Sequence, residues 1–174
     1  MASDVAWAWL RQAGSDYATS SRCHHQADDA TVCHVVAKHQ QTVEKSVKAI
    51  VAALNDLGVI ATSTGFRHDV ERLVSALVHL PRRPENKDIQ NQITGLLNEH
   101  HRSEFKAICL LAPRKPEPGQ LARRNTEYPY QNPDGTWRAP ADSDSFNKKD
   151  LERFRMVALR IYEGSSRIVS ALYR

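Results

Sequence analysis

No apolar run in the chain approaches the length that crosses a bilayer, and the opening residues MASDVAWAWLRQAGSD lack a basic patch ahead of an apolar stretch. A membrane anchor and a secretory leader are therefore not expected, and cytoplasmic residence is the default. Cysteine is scarce. Cys23, Cys33 and Cys109 cannot all pair within one chain, which fits reduced thiols better than a secreted disulfide framework. Proline is absent from residues 1–80, 85–112 and 141–174, all eight lying between Pro81 and Pro140. Proline removes a helix donor and clashes with the preceding turn, so these three stretches permit long helices. There is no glycine-rich phosphate loop, Walker-type lysine motif or dinucleotide fingerprint, and no cofactor is implied. Histidine is missing after His101.

What is present suits one soluble globular domain over 1–174: 41% hydrophobic and 25% charged residues in 174. The formal net charge of +4 tolerates acidic partners such as RNA or nucleotides without requiring them.

Apolar residues recur at helical spacing. Ala6, Trp9, Leu10, Ala13 and Tyr17 step by threes and fours after the cap candidates Ser3 and Asp4. Asp28 or Asp29 can cap a second helix over about 30–57, whose stripe is Val32, Val36, Val43, Val47, Ile50, Val51 and Leu54. Gly58 is placed to end it in a left-handed conformation. Glu44 and Lys48 stand four apart, in the favourable order for a surface pair. A shorter helix is expected from 68 or 69 to 80, carrying Val70, Leu73, Val74, Leu77 and Leu80. Another begins near 88 with Ile89, Ile93, Leu96 and Leu97, then continues or restarts around HHRS to bury Phe105, Ile108 and Leu111. A last helix spans about 148–173. Residues 112–146 form a long polar, proline-bearing loop containing the turn signal NPDG. The expected fold is all-α, an antiparallel four- to five-helix bundle.

Cys23, His24, His25, Cys33, His34 and His39 invite a zinc reading, but adjacent residues point apart on a helix and the spacing matches no metal knuckle. A polar interhelical corner with a small buried thiol is expected, and no metal. Cys109, in KAICLLAP, reads as packing rather than a nucleophile. Basic residues gather at Arg82, Arg83, Arg102, Lys106, Arg114, Lys115, Arg123 and Arg124, a candidate surface for a phosphate backbone. Tyr128, Tyr130 and Trp137 follow, able to stack on bases or to pin the loop.

The order of these features resembles the HEPN superfamily, all-helical domains of higher eukaryotes and prokaryotes associated with nucleotide or RNA transactions. AWAWLRQAGSDYATSSR is similar to its opening helix. In VCHVVAKHQQTVEKSVKAIVAAL, Gln41, Glu44, Lys45, Lys48 and Ala49 fall on the family pattern QQAxEKxxKA, with Thr42 at the alanine position. FRHDVERLVSAL resembles the later His-Asp-aliphatic element, and RRNTEYPY the arginine-tyrosine-proline element before the last helix.

The resemblance implies one of two activities. Many such domains are metal-independent RNases that use an arginine followed by a histidine near the start of the last helix, completed across a dimer. Histidine can move a proton near neutral pH, and arginine can stabilise charge on phosphate. That position is empty of histidine here. One substitute has suitable spacing: Arg72 and His79, seven apart and so on one helical face, though in the third helix and at an ordinary amphipathic edge. The leading expectation is a noncatalytic, homodimeric HEPN-like module that binds a protein or a nucleotide-containing partner. The alternatives are an endoribonuclease with a relocated or composite Arg72/His79 site, and nonspecific nucleic-acid binding through the basic surface. On the structural reading, Gln41, Glu44, Lys45 and Lys48 simply make polar contacts while Val43, Val47, Ile50 and Val51 pack inward.

Overall fold

A computed structural model describes residues 4–28, 31–61, 70–80, 87–97, 99–112, 126–127, 130–142 and 145–174, the side chains at 71–72 and 99–102 excepted. Among the described residues there are six α-helices: α1 (Asp4–Cys23), α2 (Val32–Asp56), α3 (Val70–Val78), α4 (Lys87–Leu96), α5 (Glu99–Cys109) and α6 (Lys148–Leu172). A 3-10 turn, His24–Gln26, follows α1. The helical pattern of 88–111 restarts rather than continues, giving α4 and α5 and one helix more than the upper expectation.

Three long helices set the frame. Across α1 and α2, Ser20 meets His39 and Trp9 meets Lys48, so the two run antiparallel. Between α1 and α6, His24 meets Glu152, Tyr17 stacks on Tyr162 and Trp7 lies against Tyr173, again antiparallel. Tyr173 also reaches Asp56 at the end of α2, so α2 and α6 run the same way. Two parallel helices cannot be joined by a short turn; the chain from 57 to 147 makes the return, carrying α3, α4 and α5 on the way.

The stops and starts have local causes. Asp28 and Thr31 bond reciprocally at the entry to α2: Asp28 Oδ1 accepts from the Thr31 amide at 2.9 Å, and Thr31 Oγ1 accepts from the Asp28 amide at 3.0 Å. At its exit Gly58 adopts φ +68°, the Val59 amide donates to the Leu54 carbonyl at 2.9 Å and the Gly58 amide to Asn55 at 3.0 Å. This is the glycine-terminated closure expected at that position. The Asn147 side chain accepts from the Asp150 amide at 2.9 Å and starts α6.

The core is one continuous cluster drawing on all six helices. Val43, Val47, Ile50 and Val51, the inward stripe expected of α2, are each 1% exposed or less. Removing each such side chain from water contributes about 1.5–3 kcal/mol. The burial of α2 exceeds one stripe: 19 of its 25 residues are buried, because α1 and α6 pack along it and α3 and α5 close other faces. Within the long loop, Tyr130–Gln131 (β1) and Trp137–Arg138 (β2) pair antiparallel around NPDG. Gly135 sits at φ +86°, and Asp134 Oδ1 accepts from the Thr136 amide at 2.9 Å. Tyr130 is buried, with its hydroxyl 3.0 Å from Ser145 Oγ, and pins the loop; Trp137 is 66% exposed. Among the described residues, no helix is long and apolar enough to cross a membrane.

Candidate functional site

The polar residues of α2 are the first to place. Glu44 and Lys48 are expected at the surface by their spacing, but both are buried, with Lys48 Nζ donating to Glu44 Oε1 at 2.7 Å. The correction follows from the position of α2: a helix enclosed on most sides has little solvent face on which to lay a charge pair. Gln40 Nε2 donates to the second carboxylate oxygen at 3.1 Å, and the Lys48 ammonium lies 4.8 Å from the Trp9 ring centroid. Asp16 on α1, itself buried, accepts from Lys38 at 3.0 Å and from Lys45. Lys38 and Lys45 thus tie α2 to α1 through Asp16 and Lys48 does so through Trp9, while Glu44 pairs within α2. Buried ions persist only when paired and hydrogen-bonded in this way.

A second polar cluster joins α1, α2 and α6. His39 is fully buried, its Nδ1 3.0 Å from Ser20 Oγ, while Ser20 donates to the Tyr17 carbonyl at 2.9 Å. With that hydroxyl proton engaged, His39 Nδ1–H is the donor to Ser20, and Nε2 has no hydrogen-bond partner among the described residues. Burial first, then the neighbouring His24 and Arg155 charges, lowers the His39 pKa to about 4. The imidazole is neutral at ordinary pH. His24 stands at the rim of the cluster, its ring 5.0 Å from His25 and 6.5 Å from His39, with Nε2 3.1 Å from Glu152. Burial lowers its pKa, opposed by Glu152. Arg155 donates to both Glu152 oxygens, holding that carboxyl below its usual range. Among the described residues no three His, Cys, Asp or Glu side chains converge in a way that holds a metal ion. Cys33 and Cys109 are buried, and burial pushes the Cys33 thiol up; Cys23 is exposed.

Sharing Ser20 and Lys38 with these networks, the end of α1, the 3-10 turn, the first half of α2 and residues 126–127 enclose an open cleft of about 640 Å³. Ala27, Val35 and Ala37 give it an apolar floor, and Thr19, Ser20, Thr31, His34, Lys38 and Gln41 supply polar groups, with Cys23 at the edge. Lys38 is the cation among the described lining residues. Its ammonium donates to Asp16 Oδ1 and to the side-chain Oε1 of Gln41, both at 3.0 Å, and its side chain is 41% exposed. An ammonium carries three donors, so one remains for a guest.

Of the sequence candidates for catalysis or phosphate binding, only His79 and Lys106 have side chains among the described residues. His79 lies just past the end of α3, exposed, with Nδ1 2.8 Å from the Ser75 carbonyl, which closes the last turn of its own helix. Arg72 belongs to α3, but its side chain lies outside the described residues, as does that of Arg102 in α5. Arg82, Arg83, Arg114, Lys115, Arg123, Arg124 and Tyr128 also lie outside them. Lys106 is exposed on α5. The α1–α2 cleft was not among the sequence candidates. Only Lys38 and Gln41 in the first half of α2, and the hydroxyls of TSS ahead of it, signal its position, and nothing local shows that residues 126–127 return to cover it. The chain matches no protein-family model, no curated protein and no solved structure.

Proposed function

We propose that the chain is a noncatalytic, HEPN-like binding module, homodimeric in solution, whose α1–α2 cleft receives a nucleotide-containing partner. The cleft is the observation that carries this reading. Its volume of about 640 Å³ falls in the range of small-molecule sites, which combine an apolar lining with a few placed polar groups. An apolar floor of Ala27, Val35 and Ala37 suits the face of a base, hydroxyls and Gln41 suit sugar or base edges, and Lys38 offers a donor to a phosphate. The sequence pattern of α2 adds the family resemblance. The absence of a histidine from the start of α6, together with the tethering of His79 to Ser75, favours binding over turnover.

Calorimetric titration of the purified chain with AMP and with ATP tests the reading. Saturable binding that weakens about tenfold or more in Lys38→Ala is expected, with Lys45 left to hold Asp16. No heat with either nucleotide, or binding indifferent to Lys38, contradicts it. RNA incubated with the same preparation should stay intact. Cutting that is lost in Arg72→Ala or His79→Ala, with fold and oligomeric state preserved, would replace this reading by the endoribonuclease one. Light scattering should give twice the 19.6 kDa chain mass.

A further inference from the structure

Taking the α1–α2 cleft as the nucleotide site proposed above, we infer that it selects a base carrying an exocyclic amine, an adenine-class base. Thr31 accepts from that amine, and Lys38 and Gln41 meet the phosphate. Thr31, His34, Val35, Lys38 and Gln41 all line the cleft. They follow one another at the cap and along the first turns of α2 by steps of one, three and four, so they form one stripe on a single wall. Lys38 stands seven positions beyond Thr31, two helical turns or about 10 Å along the axis. That span suits a nucleoside monophosphate laid from base edge to phosphate.

The two ends of the stripe differ in hydrogen-bonding sense. Thr31, an exposed residue, gives its hydroxyl proton to Asp28 Oδ1 at 2.6 Å and accepts from the Asp28 amide at 3.0 Å, which leaves one lone pair for a guest. A proton held on a carboxylate is in a charge-assisted bond and is not readily turned outward, so this end accepts. At the other end Gln41 Oε1 takes a proton from Lys38 at 3.0 Å. An ammonium cannot accept, so the amide can sit no other way, and its N–H groups are left for a guest beside the third Lys38 proton. This end donates. A phosphate offers acceptors and is drawn to a cation, which puts it at Lys38. A base edge reaching Thr31 then needs a donor. Adenine has one in its exocyclic amine, whereas an edge without a donor leaves the Thr31 lone pair unmet. Elsewhere on the walls Thr19 turns its proton away to the Ser15 carbonyl at 2.9 Å, and Glu127 adds a carboxylate, so both also accept. Gln26, His34 and Thr126 can present either sense and do not alter the contrast.

Calorimetric titration of the intact chain compares AMP with purine riboside monophosphate, which is AMP with hydrogen in place of the amine. AMP should bind about fivefold tighter or more. Thr31→Val removes the acceptor and should bring the two affinities together, while Thr31→Ser keeps the hydroxyl and should preserve the gap. Thr31 also holds Asp28 at the entry to α2, so a thermal melt accompanies each variant, and the wild-type comparison decides alone should Thr31→Val not fold. Equal affinities in the wild type, or a gap unchanged in folded Thr31→Val, would overturn the inference and leave the nucleotide site standing. Binding of neither ligand would overturn both.

Discussion

His39 shows what a buried titratable group does to this fold. Its imidazole titrates near 6.5 when free and about 4 when folded, because burial penalises the charged form. Above 6.5 both states hold it neutral and its contribution is complete. As pH falls from 6.5 to about 4 the unfolded chain takes up a proton that the folded chain refuses, and stability is lost; below that both are charged. The loss amounts to about 3 kcal/mol across the window. Denaturant unfolding at a series of pH values should therefore show wild-type stability declining more steeply than that of His39→Gln between 6.5 and 4. Parallel profiles would show that His39 is not shielded. The Glu44–Lys48 pair makes the second prediction at this scale. Lys48→Ala leaves a buried carboxylate without its ammonium and should cost about 3–5 kcal/mol, read from the same unfolding curves. Spacing reveals that these residues can touch, whereas their burial depends on helices far along the chain. For the same reason Ser20 and His39, nineteen positions apart, could not be paired from the sequence.

The elements follow from local rules to differing degrees. The aliphatic stripe, the entry at Asp28 and the glycine exit of α2 are all visible in the sequence, and the helix runs within two residues of the expected bounds. Gly58→Val should cost about 1–2 kcal/mol, since a branched side chain resists φ +68° while no neighbouring atom stands in its way. Asn147→Ala should cost about 1 kcal/mol through loss of the α6 cap. Chemical denaturation reads both. The sequence leaves open whether 88–111 is one helix or two, and HHRS, where a restart is expected, falls inside α5. The hairpin at NPDG was legible only as a turn, since two-residue strands carry no alternation to detect.

At the scale of the whole molecule, α2 is a nearly enclosed helix between α1 and α6, and the all-α bundle expected from proline placement is present. Long-range return of the chain is what the sequence conceals. Residues 126–127 line the α1–α2 cleft, about a hundred positions from the other residues that line it. The account's central claim is that this cleft takes a nucleotide, and Cys23 permits a direct reading of it. Cys23 is exposed at the cleft edge while Cys33 and Cys109 are 2% and 3% exposed, so alkylation of the native chain should add one group, at Cys23. Intact mass measured over time with iodoacetamide should show that saturating ATP slows this modification severalfold in the wild type and not in Lys38→Ala. Equal rates with and without nucleotide in the wild type would contradict the claim.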